Sequence, residues 1–319
     1  MNTLDSSPSV FIVIVNWNGL ADTLECLGSL QSLEYENFEI VLVDNASEDN
    51  SVEAIRRKHP SVRILANARN LGFTGGNNVG IRLALENGAD YVWLLNNDTI
   101  VDRNALSSLL EVAESDPAIG ILGGKIYYYS ERNVLSFAGA TIDWGNGRSP
   151  HIGRGESDRG QYDTVRDMDR VSGCSMLVRR HVCESVGMLD DDFFLYAEDV
   201  DWCVRARIAG YRCVYVPASM VFHKEAASVK GKDGKGTLFL YYNTRNFLKM
   251  IAKHHRFPAR ECLIMKVILL HLRYRKRSLL KLMLSGIDRN ILIAPEDKAV
   301  FFGVRDFLSN RMGRRDYSF

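Results

Sequence analysis

Three short stretches carry side chains able to do chemistry. Asn96-Asn97-Asp98 follows the apolar run Tyr91–Leu95, so a carboxylate stands just past a buried strand. A carboxylate there can hold a hard divalent cation against a diphosphate. Such an ion neutralises the charge that grows on a departing nucleotide diphosphate. Asn96 would add a carbonyl oxygen. The plainer alternative is an Asx-turn that merely ends the strand.

Glu198-Asp199-Val200-Asp201 puts three carboxylates into four residues at a helix start. Acidic charge at a helix N-terminus is common and stabilising by itself. The preceding Phe193–Tyr196 run argues for a partly buried place, where crowded carboxylates raise one another's pKa and suit a general base. Helical spacing puts Glu198 and Asp201 on one face and Asp199 on another. His223 ends the apolar Val221-Phe222. It reads either as a satisfied loop histidine or as a ligand for a manganese-type ion beside Asp98.

Alternating elements must position these residues. Val10–Val15, Phe38–Val43, Val62–Leu65, Tyr91–Leu95 and Ile119–Leu122 read as buried strands. Between them lie helices over Leu20–Leu33, from a Ser47 cap to Lys58, over Val79–Glu86, and from an Asp102 cap to Glu114. Such alternation predicts βαβ units and a parallel sheet. Ligands bind such sheets outside the carboxyl ends of the strands. Polar clusters stand there four times: Asn16–Asn18, Asp44-Asn45, the Gly/Asn-rich loop Asn70–Asn78, and Asn96–Asp98.

Beyond Gly123 the rhythm changes. Lys125–Asp169 reads as irregular strands and loops. A strand near Val171–Val178, a helix near Arg180–Val186 and a helix over Trp202–Ala209 follow, the last stopped by Gly210. Tyr211–Val216 and Met220–Phe222 read as two strands. From Thr237 the chain turns helical and basic.

An acid at the end of a second strand, here Asp44, binds a ribose hydroxyl in dinucleotide folds. That keeps an NAD-dependent oxidoreductase open as a rival. The turn after the first strand argues against it, being Asn16-Trp17-Asn18-Gly19 rather than a glycine fingerprint. Gly72, Gly75 and Gly76 come only after the third strand.

The composition is that of an ordinary globular protein. The 319 residues are 46% hydrophobic and 25% charged, with ample material for a core. A net charge of +1 makes no electrostatic case for nucleic acid. The six cysteines form no CxxC pair, so a zinc site is unsupported and a reducing, cytoplasmic setting is expected. The polar Met1–Ser9 has no signal-peptide pattern, and no apolar run reaches the roughly 20 residues of a spanning helix.

Taken in order, VIVNWNG, VDNASEDNS, NLGFTGGNNVG, LLNNDT, FFLYAEDVDWCVRARIAGY and the His of VFH resemble family 2 glycosyltransferases of the GT-A fold. The resemblance is to the rhamnosyltransferase-like and galactofuranosyltransferase-like members and spans Val10 to His223. It implies a Rossmann-like α/β fold with a mostly parallel sheet flanked by helices. The catalytic domain would be residues 1–225, with a nucleotide-sugar half at about 10–122 and an acceptor half at about 123–225. A helical extension would occupy 226–319.

The resemblance also implies roles. Asp44 would contact the base or ribose. Asn96-Asn97-Asp98 stands where the family has DxD, with Asp98 and His223 as ligands of Mn²⁺ or Mg²⁺ and Asn96 replacing the first acid. Asp199, beside Glu198, would be the general base. The transfer would invert the anomeric centre by direct displacement, with no enzyme nucleophile. Asn16, Asn18, Asn45, Asn70 and Gly75 join the expected donor site. The expected donor is a dTDP- or UDP-sugar, dTDP-rhamnose first, and the acceptor a cell-surface polysaccharide or lipid-linked glycan. A degenerate, non-catalytic sugar-nucleotide-binding protein is the other alternative, kept open by Asn96.

In the C-terminal part, Arg245 of LFLYYNTRNF can pair with donor or acceptor phosphate, or form a surface salt bridge. The leucine-rich, basic run Leu263–Leu284 reads either as a helix packed on the catalytic domain or as one lying on an anionic membrane surface. The second reading would put the protein at the inner face of the membrane.

Overall fold

The computed structural model describes residues 7–225, 236–273, 275, 293–315 and 317. The chain divides into two compact units. The first comprises residues 1–141, 151–190 and 198–225. The second comprises residues 142–150, 191–197 and 226–319.

The first unit is built on one ten-stranded sheet. Its strands are β1 (Val10–Asn16), β2 (Phe38–Asp44), β3 (Arg63–Ala66), β4 (Tyr91–Asn96), β5 (Thr99–Val101), β6 (Ile119–Tyr128), β7 (Leu135–Phe137), β8 (Arg166–Asp167), β9 (Ser175–Arg179) and β10 (Arg212–His223). The order is β3-β2-β1-β4-β9-β6-β10-β5, with β7 on β6 and β8 on β10. The longer ladders, β3-β2-β1-β4 and β6-β10, are parallel, and antiparallel β9 joins them. The expected α/β architecture is therefore present.

Helices α1 (Leu20–Leu30), α2 (Ser51–Lys58), α3 (Gly72–Glu86), α4 (Ala105–Ser115), α5 (Arg180–Ser185) and α6 (Glu198–Ile208) belong to the same unit. Two apolar clusters form its core. One holds Ile12, Ile14, Trp93 and Leu109, and the other Val13, Val92, Met176 and Trp202. Full burial of side chains this size contributes about 1.5–3 kcal/mol each, so alternate residues of β1 and β4 drive both faces of the sheet inward.

Several sequence expectations are corrected. Residues 72–78 are helix, not loop: α3 starts at Gly72. Glycine costs a helix about 1 kcal/mol, but packing overrides that cost here. A Cβ on Gly80 would stand 2.3 Å from Val13 Cγ1, and one on Gly76 2.8 Å from Val15 Cγ1. The glycines let α3 lie directly on β1. Ser47 does not cap a helix, because α2 begins only at Ser51. The two strands expected around Pro217 are one strand, β10, with a register shift between Val216 and Met220. Residues Val171–Cys174 precede β9 rather than forming its first half.

The second unit contains α7 (Thr237–His254), α8 (Ala259–Arg273) and α9 (Pro295–Leu308). Phe247, Leu248, Ile251, Val267 and Val304 make its core. Most of the basic leucine run beyond Arg273 lies outside the described residues. No helix among the described residues is long and apolar enough to cross a membrane.

Candidate functional site

The polar residues ending β1, β2 and β4 form one hydrogen-bonded lattice. Asn16 Nδ2 donates to Asp44 Oδ1 at 2.8 Å. Asn16 Oδ1 accepts from Thr23 Oγ1 at 2.9 Å and from Asn97 Nδ2 at 3.3 Å. Asp44 also accepts the Ser47 N–H at 2.9 Å and hydroxyl at 2.6 Å. Asn45 Nδ2 donates to the Gly72 carbonyl at 2.8 Å, while its Oδ1 accepts from Asn67. Asn70 Oδ1 accepts the Gly72 N–H at 2.7 Å.

Buried polar groups must find partners, and these do. Asn16, Asp44 and Asn45 are at most 2% exposed, so their side chains hold the turns together. Gly75, also expected at the donor, lies inside α3 with its Cα against Leu71. Asn18 is exposed in a left-handed conformation, φ 50°, and its Oδ1 accepts the Glu48 N–H at 2.7 Å.

The half-buried part of the edge is Asn96, Asn97, Asp98 and His223. Antiparallel pairing of β5 with the end of β10 sets His223 opposite Thr99. His223 Nε2 is 3.0 Å from Asp98 Oδ1 and 3.3 Å from Asn96 Nδ2. Burial disfavours the imidazolium of His223, but the Cys174 side chain and Asp98 more than offset it, and its pKa lies well above the usual range. Asp98, His223 and Asn96 are thus brought together. Among the described residues no group of three or more His, Cys, Asp or Glu is placed to hold an ion. One carboxylate, one imidazole and one amide are what this spot can offer, a donor mixture that hard divalent ions accept.

The acidic cluster opens α6, and its three members differ. Asp201 is fully buried and paired with Arg205 at 2.8 Å. Glu198 is 5% exposed, with Oε2 lacking any hydrogen-bond partner. Burial, and then the charge of Asp199, push the Glu198 carboxyl well above its usual pKa. Burial favours the protonated form of this carboxyl. Asp199 is the least buried of the three, its side chain 16% exposed. Its Oδ2 accepts the Gly173 N–H at 3.0 Å and lies 3.4 Å from Arg170 Nη1.

Two consecutive residues tie this carboxylate to the Asn96–Asp98–His223 group. Gly173 donates to Asp199, and the next carbonyl, of Cys174, accepts the Asn96 N–H at 2.9 Å. The Cys174 side chain also helps raise the pKa of His223. Both groups are therefore fixed on one short turn of the first unit.

Arg245 is placed otherwise. It is fully buried in the second unit. Its guanidinium donates to the carbonyls of Gly313 at 2.6 Å and Phe193 at 3.0 Å, and to Asn246 Oδ1 at 2.8 Å. Tyr241 and Tyr242 flank it. These donors are taken by groups of its own unit, and Arg245 does not stand at the surface.

Comparison with known proteins agrees with this architecture. The model of glycosyl transferase family 2 matches residues 11–187, more than half of the chain. The chain is a family 2 glycosyltransferase. It is 30% identical over 236 residues to the N-acetylglucosaminyl-diphospho-decaprenol L-rhamnosyltransferase of Mycobacterium tuberculosis, covering 68% of this chain and 76% of that one. It is 27% identical over 267 residues to protein y4gI of Sinorhizobium fredii, covering 80% of this chain but only 28% of that protein. The mannosyltransferase PcManGT from Pyrobaculum calidifontis, solved with GDP-Man and Mn²⁺, superposes with a TM-score of 0.59 at 16% identity. That match covers 97% of this chain and 91% of that one, and it shows the GT-A fold. The oxidoreductase alternative falls with this family membership.

Four residues of this glycosyltransferase that shape the edge, Thr23, Arg170, Gly173 and Cys174, carry no signal of their own in the sequence. Thr23 is a helix-face residue without any pattern of its own, while Ser47, expected as a helix cap, instead bonds Asp44 and Asn16. Gly173-Cys174 was read as strand interior. Arg170 sits at a loop end, 5% exposed, over the Phe137 ring. Only its place just before an apolar strand, and opposite an acidic helix start in another segment, could have flagged it.

Proposed function

We propose that this enzyme transfers a sugar from a nucleoside-diphosphate donor to a glycan hydroxyl by a single inverting displacement, with Asp199 as general base. The observation that carries the reading is the Gly173–Cys174 turn, which ties Asp199 to the Asn96–Asp98–His223 group. A donor diphosphate lying at the second group would present its anomeric carbon near the first.

Asp98, His223 and Asn96 are the residues that would hold a divalent cation. When bound, the ion offsets charge on the leaving diphosphate. Asp199 removes the proton of the acceptor hydroxyl. The oxygen attacks the anomeric carbon as the bond to the diphosphate breaks, so the configuration inverts. The Gly173 N–H and Arg170 fix the orientation of the carboxylate. Burial favours the protonated form of Glu198, and Asp201 is matched by Arg205, leaving Asp199 as the least buried acid of the three.

Likeness to the rhamnosyltransferase supports dTDP-rhamnose as the first donor to try and a lipid-linked glycan as the first acceptor. All six cysteines are free, which supports a reducing, cytoplasmic setting. The test is a panel of dTDP- and UDP-sugars with Mn²⁺ or Mg²⁺, read by release of the nucleoside diphosphate and by calorimetric binding. Binding of at least one donor is expected. Absence of any nucleotide-diphosphate binding removes the proposal, and binding without turnover of any donor leaves the degenerate reading standing.

A further inference from the structure

Helix α8 is apolar on two sides. Leu263, Ile264, Val267, Ile268 and Leu272 turn into the core of the second unit. With 3.6 residues per turn, Cys262, Met265, Lys266, Leu269 and Arg273 share another face, roughly 100° wide. Met265 is 56% and Leu269 57% exposed, and Phe257, just before the helix, is 77% exposed. Three of the largest exposed apolar side chains of the molecule thus cluster within thirteen residues. Exposed clusters of this kind mark interaction surfaces.

The charges on that face decide what it meets. Lys266 and Arg273 lie within the apolar stripe, and Arg256 stands exposed beside Phe257. The stripe holds no acidic residue. Glu261 falls on an adjoining face and pairs with Arg260. Apolar side chains interleaved with cations fit a surface that is apolar below and anionic above. Acids stand at the rim of the face, Asp143 near Lys266 and Glu261 paired with Arg260, while the charges of the stripe itself are the cations Lys266 and Arg273.

We propose that this face of α8, led by Phe257, seats the enzyme on the headgroup layer of an anionic lipid bilayer. Met265 and Leu269 reach the acyl boundary, while Lys266 and Arg273 lie at the phosphates. The proposal does not depend on the transfer chemistry, and its failure is separable from failure of that reading.

The test is co-sedimentation of the full chain with vesicles of phosphatidylcholine alone, or with one third phosphatidylglycerol. Binding is expected only to the anionic vesicles, and it should weaken with salt. The double variant Met265→Glu/Leu269→Glu should lose it. Lys266→Gln/Arg273→Gln should weaken it by about fivefold per charge removed. Both variants should release nucleoside diphosphate in solution at the wild-type rate. No binding to anionic vesicles overturns the proposal, as does binding that neither double variant changes. Concentration-dependent dimerisation that Met265→Glu/Leu269→Glu abolishes overturns it in favour of a contact between copies.

Discussion

The two acidic sites are reached by chain segments of opposite character. The strand-end edge is built from polar side chains that satisfy one another: Asn16, Asp44, Ser47, Thr23 and Asn97. The segment before α6 is apolar, and its backbone is what is unusual. Phe194, Tyr196 and Ala197 take φ of 64°, 67° and 69°, a region costing of order 1 kcal/mol or more for each non-glycine residue. Buried groups of the second unit hold that conformation. Asn246 Nδ2 lies within 3.0 Å of the carbonyls of Phe193, Leu195 and Tyr196, and Arg245 reaches that of Phe193. One segment is fixed by side-chain chemistry and the other by carbonyls collected on two buried donors. Polar side chains can be moved singly at modest cost, whereas a strained turn stands or falls with its clamp.

The largest expected effect separates chemistry from framework. Asp199→Asn should keep donor affinity and lower transfer by about 10²–10⁴-fold, the usual worth of a positioned base. Equal loss of donor binding would remove Asp199 from that role. Arg245→Met should instead lower stability by about 3 kcal/mol or more, since it leaves the Gly313 carbonyl and Asn246 Oδ1 without this donor and removes one of the two donors to Phe193. Chemical denaturation reads this directly. A drop below about 1 kcal/mol would mean the turn holds itself, and the contrast drawn above would fail.

What the sequence disclosed follows the same division. Strands β1, β2 and β4 are short β-branched or aromatic runs with Asn or Asp at their ends, and both features are local. Asp98 and His223 stand out in the sequence because each follows such a run, and the fold brings them within 3.0 Å of each other. The roles within Glu198–Asp201 were not, because they depend on partners far away in the chain: Arg170 and Gly173 for Asp199, and none for Glu198 Oε2. The burial of Arg245 was not legible for a related reason. An arginine among tyrosines suggests an anion site, and only the folded second unit shows its donors taken by carbonyls. The glycines of α3 misled because local propensity spoke for a loop, while the demand for close approach came from Val13 and Val15 of another strand.

That last point gives a pair of smaller predictions. Gly80→Ala should cost about 1–3 kcal/mol through overpacking against Val13, 2.3 Å from the new Cβ. Gly28→Ala, in α1 with nothing within 4 Å of the new Cβ, should gain about 0.5–1 kcal/mol through helix propensity. Thermal unfolding of both variants checks the sign. A stabilising Gly80→Ala would show that α3 does not sit tightly on β1.

The smallest effect concerns the neutral acid beside Asp199. Burial holds the Glu198 carboxyl well above its ordinary pKa. Below about pH 4 the folded and unfolded chains both carry its proton, and the group adds no pH dependence. As pH rises from there, the unfolded chain loses the proton freely while the folded chain retains it. Stability is therefore lost progressively until the raised folded pKa is passed. Glu198→Gln keeps the shape of the protonated acid and removes this loss. Its melting temperature should match the wild type near pH 4 and exceed it by a margin that widens toward neutral and alkaline pH. A margin that shrinks with rising pH would mean that Glu198 is ionised in the folded protein. The start of α6 would then carry a second charged base candidate, and the assignment of proton removal to Asp199 alone would have to be given up.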